Sequence, residues 1–285
     1  MIMAGAARAD SARQRIVSLA PSVTETLYAL GEGGSVVGVS QYCDYPAAAT
    51  KLPRVGSFLT PNVEAIAALR PTLIIGPGIS SNQREVRALA AMGYPMMTVD
   101  DDTLDGIERS IALIGGRTGK QEAAAALLAS IRARIAAVVN RLTGVRPRTV
   151  VMLVGHQPMV AVGPGTFLDE LLHLADANNI ADATTETWPR LSLEYIIAIR
   201  PDVILDGSMG DEANAPGSFW SRYQSIPAVR NHHVYGYPQD PVLHPGPRIA
   251  RSLEILAALI HPNTFPPSVT KVSDGSAEAG AAAPQ

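Results

Sequence analysis

"PNVEAIAALRPTLIIGPG" (Pro61–Gly78) returns in altered wording as "LSLEYIIAIRPDVILDGS" (Leu191–Ser208), at an offset of 130 residues from Glu64 to Glu194. At that offset Ile66 meets Ile196, Ala68 meets Ala198, Arg70 meets Arg200, Pro71 meets Pro201 and Ile74 meets Ile204. Each copy reads as the same unit. Asn62 or Ser192 serves as a helix N-cap, a glutamate occupies the first turn where the helix dipole favours negative charge, and apolar residues follow at helical spacing. Pro71 and Pro201 then end the helix, because proline lacks a backbone N–H and pushes the preceding residue out of the helical region. The apolar runs "TLII" and "DVIL" that follow suit a buried strand. A short helix feeding a strand is therefore expected once in each half of the chain.

Outward from the first copy, the pattern alternates. Strand "RIVSLA" precedes a capping box, Ser22 to Glu25, that opens the helix "TETLYALG", and strand "SVVGVS" comes next. After the first copy stand helix "QREVRALAAMG", strand "YPMMTVD" and helix "LDGIERSIALIGG". Such alternation belongs to an α/β lobe with a largely parallel sheet. It is broken by "GKQEAAAALLASIRARIAAVVNRL", which has no glycine after its first residue and no proline, and predicts one helix about 33 Å long. A second α/β lobe then runs through strands "RTVVMLVG" and "MVAVG", helix "TFLDELLHLAD" and the second copy of the repeat. It ends with helix "SFWSRYQSI", strand "HHVYGYP" and helix "PRIARSLEILAALI". The expected boundaries are 15–117 for the first lobe, 118–143 for the linking helix, 147–262 for the second lobe and 263–285 for a disordered tail of small polar residues. A helix is a stiff connector, so a large hinge closure is not expected.

Composition narrows the function. A chain of 285 residues with 47% hydrophobic residues can build two real cores. Its net charge of −3, without a basic cluster, offers no footprint for nucleic acid or an anionic membrane. No apolar run approaches the roughly 18 to 20 residues that cross a bilayer, so direct membrane insertion is not expected. The single cysteine, Cys43, cannot form an internal disulfide and argues against a cysteine-based zinc site. "MIMAGAARAD" reads as the tail of an export leader with a small-residue cleavage site at Ala7-Arg8-Ala9; the rival reading is a disordered cytosolic N-terminus. Nucleotide-binding and hydrolase signatures are missing: no G-x-G-x-x-G follows a strand, and there is no P-loop, no H-E-x-x-H and no G-x-S-x-G elbow. No catalytic residues and no metal ligands are assigned. An α/β enzyme whose His and Asp residues converge in a cleft remains the rival from another class.

At "VVGVSQYCDYP", "VEAIAALRPTLII", "TWPRLSLEYIIAIRP" and "PQDPVLHPGPRIARS" the chain resembles the periplasmic vitamin B12-binding proteins of bacterial ABC importers. More broadly it is similar to the metal-chelate-binding proteins with a helical backbone, which also carry haem and ferric siderophores. The resemblance spans Arg15 to Pro262 and implies a class III periplasmic binding protein: two similar α/β lobes joined by one long backbone helix. Such a protein is a monomer that takes a cobalamin-like corrinoid, or alternatively haem or a ferric siderophore, into the cleft between its lobes and hands it to a membrane permease. It acts in the periplasm and needs no cofactor of its own.

Carried over residue by residue, the resemblance places Tyr42, Phe58, Pro77, Val160, Trp188, Asp240 and His244 at the ligand, and Glu64 and Glu194 at the permease. Phe58 and Pro77 stand where the B12 binders have tryptophans, and His244 where they have an arginine. Phe58 also falls where many haem binders have a ligating tyrosine, and phenylalanine cannot coordinate iron. Physically, a large flat corrinoid or porphyrin needs stacking surfaces and a few polar groups at its edge, which suits Tyr42, Phe58 and Trp188. The alternative is that each aromatic packs within its own lobe. For His244 the alternatives are an edge donor or axial metal ligand and a plain loop histidine; His232 and His233 are read as surface residues. Glu64 and Glu194 stabilise helix N-termini in any case, but their matched placement suits pairing with arginines of a two-fold symmetric permease. A duplication kept for folding reasons is the rival.

Overall fold

The computed structural model describes residues 14–78, 84–156, 158–207 and 219–265, and the expectations for the leader and for the tail beyond 265 lie outside them. The chain divides into two compact units, Met1–Val99 and Asp100–Gln285. In the first, β1 (Ile16–Ser18), β2 (Val36–Val39), β3 (Leu73–Pro77) and β4 (Met96–Val99) form a sheet in the order β2-β1-β3-β4. All of its pairs are parallel. Helices α1 (Pro21–Ala29), α2 (Val63–Ala68) and α3 (Arg84–Ala91) connect the strands.

The second unit begins with helices α4 (Leu104–Thr118) and α5 (Gln121–Arg141). Its sheet is built on β5 (Arg148–His156), with β8 (Val203–Asp206) parallel along one edge and β9 (Val234–Gly236) parallel beyond it. The other edge of β5 is shared: β7 (Ala177–Asn179) runs parallel to its first half, and β6 (Met159–Ala161) folds back antiparallel on its second half. Helices α6 (Phe167–Leu174), α7 (Leu193–Ile199), α8 (Pro227–Arg230) and α9 (Ile249–Ile260) complete the unit. If β6 is set aside, β7-β5-β8-β9 repeats the order β2-β1-β3-β4.

The repeated phrase occupies the same place in both sheets. Asn62 caps α2 by accepting from Ala65 N, and Ser192 caps α7 by accepting from Tyr195 N. Ile66 and Ile196 are fully buried, each in the core of its own unit. Arg70 and Arg200 both adopt the left-handed conformation, φ 46° and 57°, which ends a helix ahead of a proline that forbids its continuation. In the strands that follow, Ile74 pairs with Val17 and Ile204 with Val151, and all four are core residues. The two copies thus fill one structural role: the helix and third strand of a four-strand parallel motif.

Two expectations need correction. The capping box at Ser22 and Glu25 does not form, because Pro21 takes the first turn of α1 and Ala20 the N-cap, leaving both residues buried inside the helix. In the helix expected over 218–226, only Phe219 and Trp220 are helical among the described residues. Trp220 is fully buried and donates to Asp206 Oδ2 at 2.8 Å, and the chain turns beyond it to pack Tyr223 and Ile226 into the same core. Helix α4 lies in the second unit, Asp100–Gln285. Its buried Ile107, Ile111 and Ile114 lie on the face whose Gly115 lets α5 come close: a Cβ at Gly115 would stand 2.5 Å from the Ala124 Cβ.

Helix α9 ends at His261, whose buried ring contacts the Ala175 carbonyl at 2.9 Å. Burial pushes its pKa below the ordinary histidine value, as it does that of His233, which the Arg148 charge also lowers. Both groups bind protons more readily when unfolded, so their contribution to stability is present above the unfolded pKa and is lost as pH falls. Urea midpoints are therefore expected to drop as pH falls from about 6.5, the ordinary histidine value, and His261→Gln should flatten part of that slope. A midpoint that rises on acidification through this window would contradict this.

Candidate ligand-binding site

In open parallel sheets, ligands gather beyond the carboxyl ends of the strands. In the first unit Tyr42 follows the end of β2 and Pro77 is the last residue of β3, so both lie at that edge. Tyr42 is 50% exposed on a turn held rigidly from beneath. Arg54 Nη1 donates to the carbonyls of Ser40 at 2.9 Å and Cys43 at 2.8 Å, and Gln41 N donates to Gly56 O at 2.8 Å. The Cys43 thiol is buried and hydrogen-bonded by Thr24; burial pushes its pKa up, so it anchors the turn and is no nucleophile.

Phe58 sits at the tip of the turn Gly56–Pro61, closed by Ser57 and Thr60, whose hydroxyls lie 2.9 Å apart. The turn requires glycine: Gly56 has φ 87°, and a Cβ there would stand 2.5 Å from Thr60 O. Phe58 is half-buried against Val17, Val55 and Ile66 and their neighbours, so part of its ring belongs to the core of its own unit.

In the second unit Trp188 is 45% exposed on an extended segment laid along β6. Gly163 N donates to Thr187 O and Ala161 N to Pro189 O, both at 2.9 Å, while Val160 bridges Arg190. Gly163 is required there as well, since a Cβ would come within 2.2 Å of Glu186 O. Asp240 and His244 lie beyond the end of β9. His244 Nδ1 stands 2.8 Å from Asp240 Oδ1, and Arg248 donates to both oxygens of the same carboxylate, at 2.7 and 3.3 Å. Chiefly through His244, and then Arg248, the exposed Asp240 carboxyl is held well below the ordinary carboxylate range. A carboxylate on Nδ1 leaves Nε2 as the outward nitrogen of the imidazole.

Arg248 is a third member of this cluster that local sequence signals do not mark. It lies within "PRIARS" as the N-cap residue of α9, a position that by itself marks only a helix start. It supplies a guanidinium on the same carboxylate that His244 meets. Glu64 and Glu194 are exposed in the first turns of α2 and α7, and among the described residues neither forms an ion pair. Exposure alternates identically along 62–68 and 192–198.

The sequence pattern described as "periplasmic binding protein" matches residues 16–241. The chain belongs to the periplasmic binding protein family. It is 32% identical over 261 residues to an uncharacterised ABC transporter substrate-binding lipoprotein of Bacillus subtilis, covering 88% of this chain and 81% of that one. It is 30% identical over 221 residues to the vitamin B12-binding protein of Pectobacterium atrosepticum, covering 76% and 79%. The periplasmic heme-binding protein of Roseiflexus sp. RS-1, solved in its apo form, superposes with a TM-score of 0.78 at 29% identity, over 88% of this chain and 99% of that one. The α/β units with parallel sheets are those of a class III periplasmic binding protein. This is a substrate-binding protein of the ABC-importer type; its family consists of solute-binding proteins, and its relatives are periplasmic or lipoproteins. No helix among the described residues is long and apolar enough to cross a membrane.

Proposed function

We propose that this protein is exported to the periplasm, captures a cobalamin-like corrinoid and delivers it to an ABC importer permease, without catalysing a reaction. The observation that carries this reading is the exposure of two large aromatics, Tyr42 (50%) beyond the end of β2 and Trp188 (45%) on the segment laid along β6. Large aromatics held open on segments fixed by hydrogen bonds suit a broad, flat, partly apolar ligand. The Asp240, His244 and Arg248 cluster adds polar groups of the kind that meet the amides at a corrin edge. Phe58, Pro77 and Val160 complete the apolar contribution. The likeness to a vitamin B12-binding protein supports the same ligand class.

One observation favours haem as the second reading: the carboxylate of Asp240 orients His244 as a metal-ligating imidazole is oriented. The likeness to a heme-binding protein points the same way. Calorimetry and visible spectroscopy with cobalamin, cobinamide, haem and ferric siderophores separate the two. Binding of both corrinoids is expected; a Soret shift with haem and no corrinoid binding would establish the second reading, and no binding to any of the four would overturn both.

A further inference from the structure

A second constellation lies in the second unit, apart from these residues. Asp169 and His173 are one helical turn apart on α6, and Asp182 faces them from the short 3₁₀ turn Ile180–Ala183. His173 Nε2 stands 3.4 Å from Asp169 Oδ1 and 3.4 Å from Asp182 Oδ2. Donor atoms of all three lie within 4.8 Å of one another. Those two separations are long for a charge-assisted hydrogen bond, which prefers about 2.7 to 2.9 Å. They equal the edge of a tetrahedron about a metal ion with bonds of about 2.1 Å, which is also about 3.4 Å.

The supporting contacts hold the set in place. Asn179 Nδ2 donates to Asp169 Oδ1 at 2.8 Å and to Val162 O at 2.9 Å, while its Oδ1 accepts from Ala181 N at 3.1 Å. One buried amide thus fixes the Asp169 carboxylate and the start of the turn carrying Asp182, as outer partners of metal ligands do. Asp169 is buried, while His173 and Asp182 are open to solvent on one side, leaving a path for an ion and a water.

We propose that Asp169, His173 Nε2 and Asp182 form a binding site for one zinc-class divalent ion, with water in the fourth position. Imidazole beside carboxylates suits zinc, whereas calcium and magnesium take oxygen ligands. The ion would tie α6 to the turn from which the segment bearing Trp188 departs, and so brace that segment.

Full-length protein stripped with a chelator and titrated with Zn²⁺ should bind one ion per chain by calorimetry, with a raised melting temperature. His173→Gln and Asp182→Asn, both at solvent-open positions, should each weaken binding at least tenfold and remove the thermal shift, while His244→Ala keeps both. Co²⁺ in place of Zn²⁺ should show the visible absorption of a four-coordinate site. No zinc binding by the folded stripped protein, or binding that survives in both variants, or binding lost in His244→Ala instead, would overturn the proposal. Circular dichroism of each variant confirms that a loss of binding is not a loss of fold.

Discussion

Reversing both matched glutamates, Glu64→Lys with Glu194→Lys, is expected to abolish ligand uptake by cells while leaving ligand affinity in solution unchanged. Both carboxylates stand exposed in the first turn of a short helix, capped two residues earlier by Asn62 or Ser192. Each single reversal costs about 0.3 to 1 kcal/mol at the helix dipole, small against the roughly 5 to 15 kcal/mol of a typical fold, so the protein should remain folded. On the proposed reading, what is lost is charge-assisted pairing with arginines of the permease, where a like charge repels and costs several kcal/mol. A two-fold partner needs both contacts, so each single variant should be partly impaired and the double variant far worse. Uptake of labelled ligand by cells, set beside calorimetry on the purified variants, tests this. If ligand affinity falls as far as uptake does, the glutamates belong to the ligand site and the docking role is lost.

Trp188→Ala and Tyr42→Ala should each weaken binding of the cognate ligand by about 1 to 3 kcal/mol, or roughly 5- to 150-fold. Each ring is half-exposed on a segment fixed by backbone hydrogen bonds, so its removal leaves no sealed cavity. Stability should move by no more than about 0.5 kcal/mol, as for other surface positions. Phe58 differs, because part of its ring packs in the core, and Phe58→Ala should lower binding and stability together. Unchanged affinity for the Tyr42 and Trp188 variants, with a lowered melting temperature, would return both rings to packing roles.

How far the sequence could be read follows from how local each cause is. The helix-to-strand phrase was legible because its signals lie within a few residues: an N-cap, a first-turn acid, a helical apolar spacing and a proline stop. Both copies form as read, with Asn62 and Ser192 as caps and Ile66 and Ile196 in the two cores. The long helix α5 was legible for the same reason, its residues being strong helix formers with no interior breaker. Where a local signal met a competitor, the reading failed: Pro21 outbid the capping box at Ser22, and the burial of Trp220 on Asp206 replaced a helix with turns.

The sequence by itself therefore determined the two α/β units, the repeated motif and the identity of the exposed aromatics. Only the tertiary structure decided which partners those residues meet. Arg248 reaches Asp240 from the start of α9, Arg54 clamps the turn beneath Tyr42, and Asn179 joins Asp169 to the turn of Asp182. Each of these contacts spans a turn or a strand crossing, set by sheet order and register. Short-range propensity carries no information about such pairs, because the energy that selects them comes from burying the sheets' apolar faces, which fixes where every loop must end.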